Sequence, residues 1–397
     1  MDKIKIVWLA PFPLDQINGL TLSKVVKGNG TWLLNLASEL RKRGDIDFHI
    51  ITYSAKIGED VQVFDDGITF HILKYQIPIV KKGFPYFFRI DVLIWYFPLV
   101  KRMHRLLDNL NPDIVHAHGT ESCYALAANR YKKCPSIISI QGIINEYVKI
   151  SPTVYFRLQK RIERNTIING VNFGCRTDWD KSFVSSINKS ANIIYLPEAI
   201  GACFFEEQWK GAGLNTLTFV GSIIERKGIL DLIRACTNVK SKYPNFILNL
   251  IGTGPSDYVA QVKALVTEIG LTNNVIWHGS RSSEQIAEIL KSTTVYVLPT
   301  YSDNSPNSLC EAMAVGVPSV AYSTGGVPSL IKHNVDGFLV NAGEINTLGE
   351  TICRIMGDSA LQIRISISAK KVGVARNNPV SVCETYMHCY NSLIYKL

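Results

Sequence analysis

The sequence predicts an α/β protein made of two similar domains, each a mostly parallel sheet with helices between its strands. Short runs rich in β-branched and aromatic residues alternate with helical stretches in both halves. A chain of 397 residues has room for roughly two or three domains. The stretch from Pro197 to about Asn215 lacks either periodicity and reads as the crossing between them.

In the first half, strands are expected at 4–10, 48–54, 113–119, 135–142, 171–176 and 192–197, with helices at 31–43 and 121–131 among them. The second half repeats the rhythm. A strand at 217–221 precedes a helix from about Ile229, and one at 247–252 precedes a helix ending near Gly270. The strand at 275–279 leads to a helix whose Ser282 and Gln285 fit a capping box. Strands at 295–300 and 317–322 each lead to a further helix, the second near Pro328. The expected division is 1–200, 201–378, and a last helical stretch at 379–397.

Composition narrows the class. Nine cysteines without a C-x-x-C pair signal neither a zinc site nor a disulfide framework. MDKIKIVWLAPFP reads as a strand rather than a secretory core, and no stretch reaches the length of a membrane span. A reduced, cytoplasmic, soluble or peripheral protein is expected. The formal charge of +9 is uneven: residues 1–200 hold 26 Lys and Arg against 18 Asp and Glu, and residues 201–397 hold 16 against 15. A basic half suggests a polyanionic partner. Nucleic acid is disfavoured, because no recognition motif accompanies the charge.

Ligands of parallel α/β sheets bind beyond the carboxyl ends of the strands, and four such loops in the second half have a phosphate-site composition. GSIIERKG (221–228) offers Gly221, Arg226 and Lys227 before a helix; IGTGPS (251–256) contains Gly252 and Gly254; STGGVPS (323–329) is another glycine turn. The fourth is SDNSPNSLCEAMAVGVP (302–318), where Ser305 as N-cap, Pro306 at N1 and Gly316 past the end describe a short helix. Its first-turn amides at Asn307 and Ser308 would bind phosphate oxygens, and Lys227 could neutralise the same diphosphate. Glu311 has Asn, Ser, Ala and Val at its i±3 and i±4 positions, so no helical neighbour balances its charge. Two vicinal hydroxyls, as on a ribose, would suit it. The dinucleotide fingerprint is absent, since GTGP lacks the third glycine, and so is Walker A.

These stretches together resemble the E-x7-E region and other donor-site signatures of the retaining GT-B glycosyltransferases of family four (group 1). The likeness is strong over about 217–341 and looser in the first half. It implies two Rossmann-like domains facing across a cleft, with the stretch at 379–397 crossing back to the first domain, and sugar transfer from a nucleotide diphosphate sugar, without cofactor or obligatory metal. By resemblance Glu311 holds the ribose, Asp303 contacts sugar hydroxyls, and Lys227 binds the diphosphate, helped by the backbone at Asn307, Ser308 and Leu309. Gly252 and Gly254 lie near the base. Gly28 and Gly30 of GNGT match the glycine loop that approaches donor and acceptor, and His118 of VHAHG stands where the family often places a histidine close to the reacting sugar. Three positions depart from the pattern. Asp303 replaces a Glu, Ser222 stands where an Arg is common, with Arg226 as substitute, and Ser329 replaces a Glu.

D-x-D pairs at Asp45–Asp47 and Asp178–Asp180 are expected on solvated surface rather than at a metal. Residues 84–98 hold seven aromatics with Lys81, Lys82, Lys101, Arg102 and Arg105 around them. A helix over 153–165 aligns Arg157, Lys160, Arg161 and Arg164 opposite Val154, Leu158 and Ile162. Both stretches fit contact with an anionic membrane; the bland reading packs the aromatics internally. The resemblance extends to a lipid-linked acceptor at the inner face of the cytoplasmic membrane, in bacterial surface-polysaccharide assembly (capsule, O-antigen or exopolysaccharide). Two rivals are a GT-B-fold nucleotide-sugar epimerase, which needs no acceptor, and a non-catalytic scaffold with a vestigial site.

Overall fold

The computed structural model describes residues 3–20, 31–75, 90–150 and 152–396. Gly28, Gly30 and the 84–89 part of the aromatic stretch lie outside the described residues. The chain divides into two compact units, Met1–Pro197 with Val382–Leu397, and Glu198–Ser381.

The first unit is built on β1 (Ile4–Leu9), β2 (Ile46–Ser54), β3 (Val61–Asp65), β4 (Ile68–Lys74), β5 (Ile114–His118), β6 (Ser136–Ser139), β7 (Asn172–Cys175) and β8 (Asn192–Tyr195). The sheet order is β3-β4-β2-β1-β5-β6-β7-β8. Pairing is parallel except between β3 and β4. Ile6 to Leu9 are fully buried, as a central parallel strand covered on both faces requires. The β3–β4 hairpin was not expected. Its turn residues Asp66 and Gly67 both have positive φ, 46° and 84°, which suits the Asp-Gly type I′ turn that matches strand twist. The helix Pro379–Tyr395 buries Val382, Cys383, Tyr386, Met387, Cys389 and Tyr390, a spacing that follows one helical face.

The second unit contains β9 (Thr216–Val220), β10 (Ile247–Ile251), β11 (Val275–Gly279), β12 (Val295–Leu298), β13 (Ser319–Tyr322) and β14 (Phe338–Val340). They form one parallel sheet in the order β11-β10-β9-β12-β13-β14. The Ser282–Gln285 capping box is present at the head of the helix Ser283–Lys291. After β13 the expected helix is replaced by a single 3-10 turn, Val327–Ser329. Here the main chain is tied elsewhere, because Gly326 N–H donates to the Asp303 carbonyl at 2.9 Å.

Each sheet has one place where the strand order reverses. In the first unit β2 and β5 flank β1; in the second β10 and β12 flank β9. Loops diverge there and leave a crevice at the carboxyl ends.

Candidate functional site

In the second unit the loops after β9 and β12 meet at that reversal. The 3-10 turn Glu225–Lys227 ends at Gly228, whose φ is 67°, and a Cβ at Gly228 would lie 1.9 Å from the Pro299 carbonyl oxygen. Only glycine allows this approach. Tyr301 N–H donates to the Arg226 carbonyl at 2.8 Å and joins the loops. Lys227 Nζ then reaches Asp303 Oδ2 at 2.7 Å, Arg226 Nη1 reaches Oδ1 at 2.9 Å, and Thr300 Oγ1 donates to Oδ2 at 2.7 Å. Burial alone would push the Asp303 carboxyl up, but Lys227 and Arg226 outweigh it and hold it below the usual range. Gly325 (φ 54°) passes so near that a Cβ would be 2.1 Å from the Asp303 carbonyl. STGGVPS therefore braces Asp303.

The helix that follows runs Asn307–Val315 and ends at Gly316 with φ 93°. Its N-cap is Pro306, with φ −67° and ψ 115° and no side-chain cap, rather than Ser305. Ser305 is turned inward, its Oγ 4.0 Å from Cys310 Sγ. Leu309 N–H donates to the Pro306 carbonyl at 3.0 Å, so that amide is not open to a ligand and the expectation for Leu309 is corrected. The amides of Asn307 and Ser308 precede this bond and have no carbonyl of the helix to reach. Ser308 Oγ accepts from Tyr296 OH at 2.7 Å.

The Glu311 side chain is partly buried and makes no hydrogen bond or ion pair among the described residues. Burial, then the like charge of Glu198, pushes its carboxyl up to about 7. Glu198 is 6% exposed, and its carbonyl accepts from Asn377 Nδ2 at 2.9 Å. Sequence reasoning missed Glu198, which sits in an aperiodic segment. It also missed Thr300, whose hydroxyl lies three positions from the carboxylate it serves.

The glycines have a structural account of their own. Gly252 N–H donates to Gly279 O at 2.8 Å, and Ile223 N–H to Thr253 O at 2.8 Å. A Cβ at Gly252 would lie 1.9 Å from Gly221 O, and one at Gly254 1.8 Å from Ile223 O. Gly221 itself has φ 153°. Three loops thus pack backbone against backbone, a floor that side chains would pry apart.

In the first unit His118 ends β5, beside the strand reversal. It is 3% exposed, and its Nε2 has no partner among the described residues. Burial, then His116 and Arg176, holds it well below the ordinary imidazole value, so it is neutral. Downstream, Glu163 accepts from Thr120 Oγ1 at 2.7 Å and from the amides of Ile144 (3.1 Å) and Asn145 (3.3 Å). It caps the helix Ile144–Ile150, and burial pushes its carboxyl up to about 7.

The acidic pairs and the basic surface also resolve. Asp45 pairs with Arg43 at the surface. Asp180 is fully buried, contrary to the solvated expectation: it accepts from the amides of Arg176, Thr177 and Lys181 at 2.9, 3.0 and 2.9 Å in a capping box. On the helix Val154–Asn169, Arg157, Lys160, Arg161 and Arg164 are exposed while Ile162 is buried. Val154 is exposed rather than packed. Along 90–98, Val92 and Tyr96 are buried, but Leu93, Ile94 and Phe97 are exposed at 49%, 45% and 59%. Gln159 Nε2 donates to Tyr96 OH and joins this apolar tip to the basic helix. Among the described residues no helix is long and apolar enough to cross a membrane.

The family described as "Glycosyl transferases group 1" matches residues 204–372, and "Glycosyltransferase Family 4" matches 26–173. AmsK of Erwinia amylovora, an amylovoran biosynthesis glycosyltransferase, is 31% identical over 157 residues, 38% of this chain and 38% of that protein. The chain thus aligns with well under two thirds of that relative's length. Among solved structures, sucrose-phosphate synthase from Thermosynechococcus elongatus has a TM-score of 0.80 at 15% identity, covering 100% of both chains. HepE of Anabaena, in complex with UDP, has a TM-score of 0.73 at 17% identity, covering 98% of this chain and 100% of that one. These neighbours share the GT-B fold. With two family matches spanning most of its residues and one fold throughout, the chain belongs to the family-four, group 1 glycosyltransferases.

Proposed function

We propose that the protein transfers a sugar, with retention of configuration, from a nucleotide diphosphate sugar to a lipid-linked saccharide acceptor. The observation that carries this is the grouping of Lys227, Arg226 and Asp303 in the unit that also presents the Asn307 and Ser308 amides and an unpartnered Glu311. Lys227 and Arg226, with the amides, neutralise the charge that grows on the leaving diphosphate; this is work a divalent metal does elsewhere, and no obligatory metal is needed. Asp303 accepts from donor-sugar hydroxyls, and Glu311 accepts from the two ribose hydroxyls. The binding of UDP by HepE supports a nucleotide donor. His118 acts at the reacting sugar as a neutral group. In front-face attack the acceptor oxygen bonds to the anomeric carbon as the bond to the diphosphate oxygen breaks, and the acceptor proton passes to that oxygen.

The amylovoran role of AmsK supports surface-polysaccharide assembly as the setting. Exposed Leu93, Ile94 and Phe97 beside Arg157, Lys160, Arg161 and Arg164 support attachment to the anionic inner face of the cytoplasmic membrane.

Calorimetry against UDP-, GDP-, dTDP- and ADP-sugars in EDTA tests the donor site. One nucleotide sugar is expected to bind, and the binding to disappear in Glu311→Ala and Lys227→Ala. Wild-type affinity in both variants would sink the assignment. NMR of the product reads the anomeric outcome, and donor conversion without any acceptor would indicate epimerisation instead.

A further inference from the structure

We infer that Tyr390, on the helix Pro379–Tyr395, is the residue that positions His118. The inference rests on the reading of His118 as a participant in transfer. The His118 side chain makes no hydrogen bond among the described residues, and its Nε2 is buried without a partner. Its plane is therefore set by packing, and two rings lie close against it, one stacked and one tilted. The His116 centroid lies 4.0 Å away with planes 25° apart, and the Trp8 centroid lies 4.3 Å away at 56°. One hydroxyl bonds to both of those rings. Tyr390 OH is 3.0 Å from Trp8 Nε1 and 2.7 Å from His116 Nδ1.

An indole N–H can only donate, so the phenol oxygen accepts from Trp8. The imidazole of His116 is then held at both ends, Nδ1 by Tyr390 OH and Nε2 by Ser139 Oγ at 2.8 Å. With the proton on Nε2, Tyr390 donates to Nδ1 and Ser139 accepts; with the proton on Nδ1, Ser139 donates to Nε2 and Tyr390 accepts from both rings. Either arrangement fixes the plane of the ring. Burial, with the charge of Arg176 behind it, holds His116 neutral, its value lowered to about 3. Tyr390 is fully buried on the helix that returns to this unit. The last helix thus fixes two ring planes, and through them the ring of His118.

Tyr390→Phe keeps the aromatic packing and removes the bonds. In the full-length protein, kcat is expected to fall roughly 5- to 50-fold, the scale of a displaced reacting group, with the donor KM unchanged. In the Tyr390→Phe/His118→Ala double variant the losses should not multiply, because Tyr390 acts through His118. Imidazole ¹⁵N spectra give a readout apart from activity. Tyr390→Phe leaves His116 Nδ1 without its partner and should shift the His116 ring nitrogens and the His118 resonances. Ser139→Ala, which opens the other end of the network, should do the same if Tyr390→Phe folds poorly. Losses that multiply, or unchanged His116 and His118 resonances in a folded variant, would overturn the proposal. If His118→Ala alone keeps full activity, the functional reading of His118 fails, while the spectra still report whether Tyr390 orients both rings.

Discussion

At Glu311, burial and the Glu198 carboxylate raise the folded-state value from 4.5 to about 7. Ionisation is thus disfavoured in the native state. The penalty is absent below about pH 4.5, grows as pH rises, and is complete above about pH 7. Glu311→Gln should raise the melting temperature at pH 8, by the equivalent of about 1–3 kcal/mol, and leave it unchanged at pH 4. The same variant should lose donor affinity, and wild-type affinity should climb with pH through 7, since ribose hydroxyls donate best to the ionised carboxylate. Flat wild-type affinity from pH 6 to 8 would contradict the ribose role. Asp303 has the opposite sign: Lys227 and Arg226 hold it low, so its contribution is present at neutral pH and lost on acidification. Asp303→Asn should cost about 1–3 kcal/mol at pH 7 in denaturant titrations, because two basic groups lose their shared acceptor. The oddity of Glu311 was legible in its neighbours along the helix. The Lys227–Asp303 pair was not, since 76 positions separate them in the chain.

Among the elements, the glycine loops make a sharp contrast. A Cβ at Gly254 would sit 1.8 Å from Ile223 O, whereas one at Gly44 would meet nothing within 4 Å. Gly254→Ala should therefore destabilise by about 2–4 kcal/mol and Gly44→Ala by less than about 0.5 kcal/mol, as read from urea melts. Sequence reading took Gly254 for a base-site glycine; the close backbone approach explains its bareness before any ligand is considered. The helix Val154–Asn169 carries a second prediction. Replacing Arg157 and Arg161 with alanine should weaken sedimentation with phosphatidylglycerol vesicles by about 2 kcal/mol, at about 1 kcal/mol per basic residue, and leave calorimetric donor affinity intact. Equal binding of both proteins to the vesicles would remove this face from the membrane reading. The alternation of β9 to β13 with helices was readable because buried strands are continuous apolar runs. The β3–β4 hairpin was missed although DDG carries its turn signal, and the Val327–Ser329 turn was overread as a helix. Ser305 was placed at the N-cap by side-chain type, but Pro306 took that place once Ser305 had turned toward Cys310.

For the whole molecule, a nucleotide sugar that binds only the folded protein should stabilise it by about 2.7 kcal/mol at one hundred times its Kd, readable as a thermal shift and absent in Lys227→Ala. The sequence by itself determined the class of the chain: two α/β units, the loops that bear phosphate-type chemistry, an acidic helix residue with no local partner, and the family resemblance. Those are local properties, set by periodicity, turn residues and motif spacing. Tertiary structure decided which loops meet. Strand order is a non-local property, and only the β9–β12 adjacency brings Lys227 and Arg226 to Asp303. The same holds for Tyr390, 382 positions from Trp8. No pattern along the chain announces that its hydroxyl will bond both rings that hold His118, because that contact exists only once the last helix has packed against the first strand.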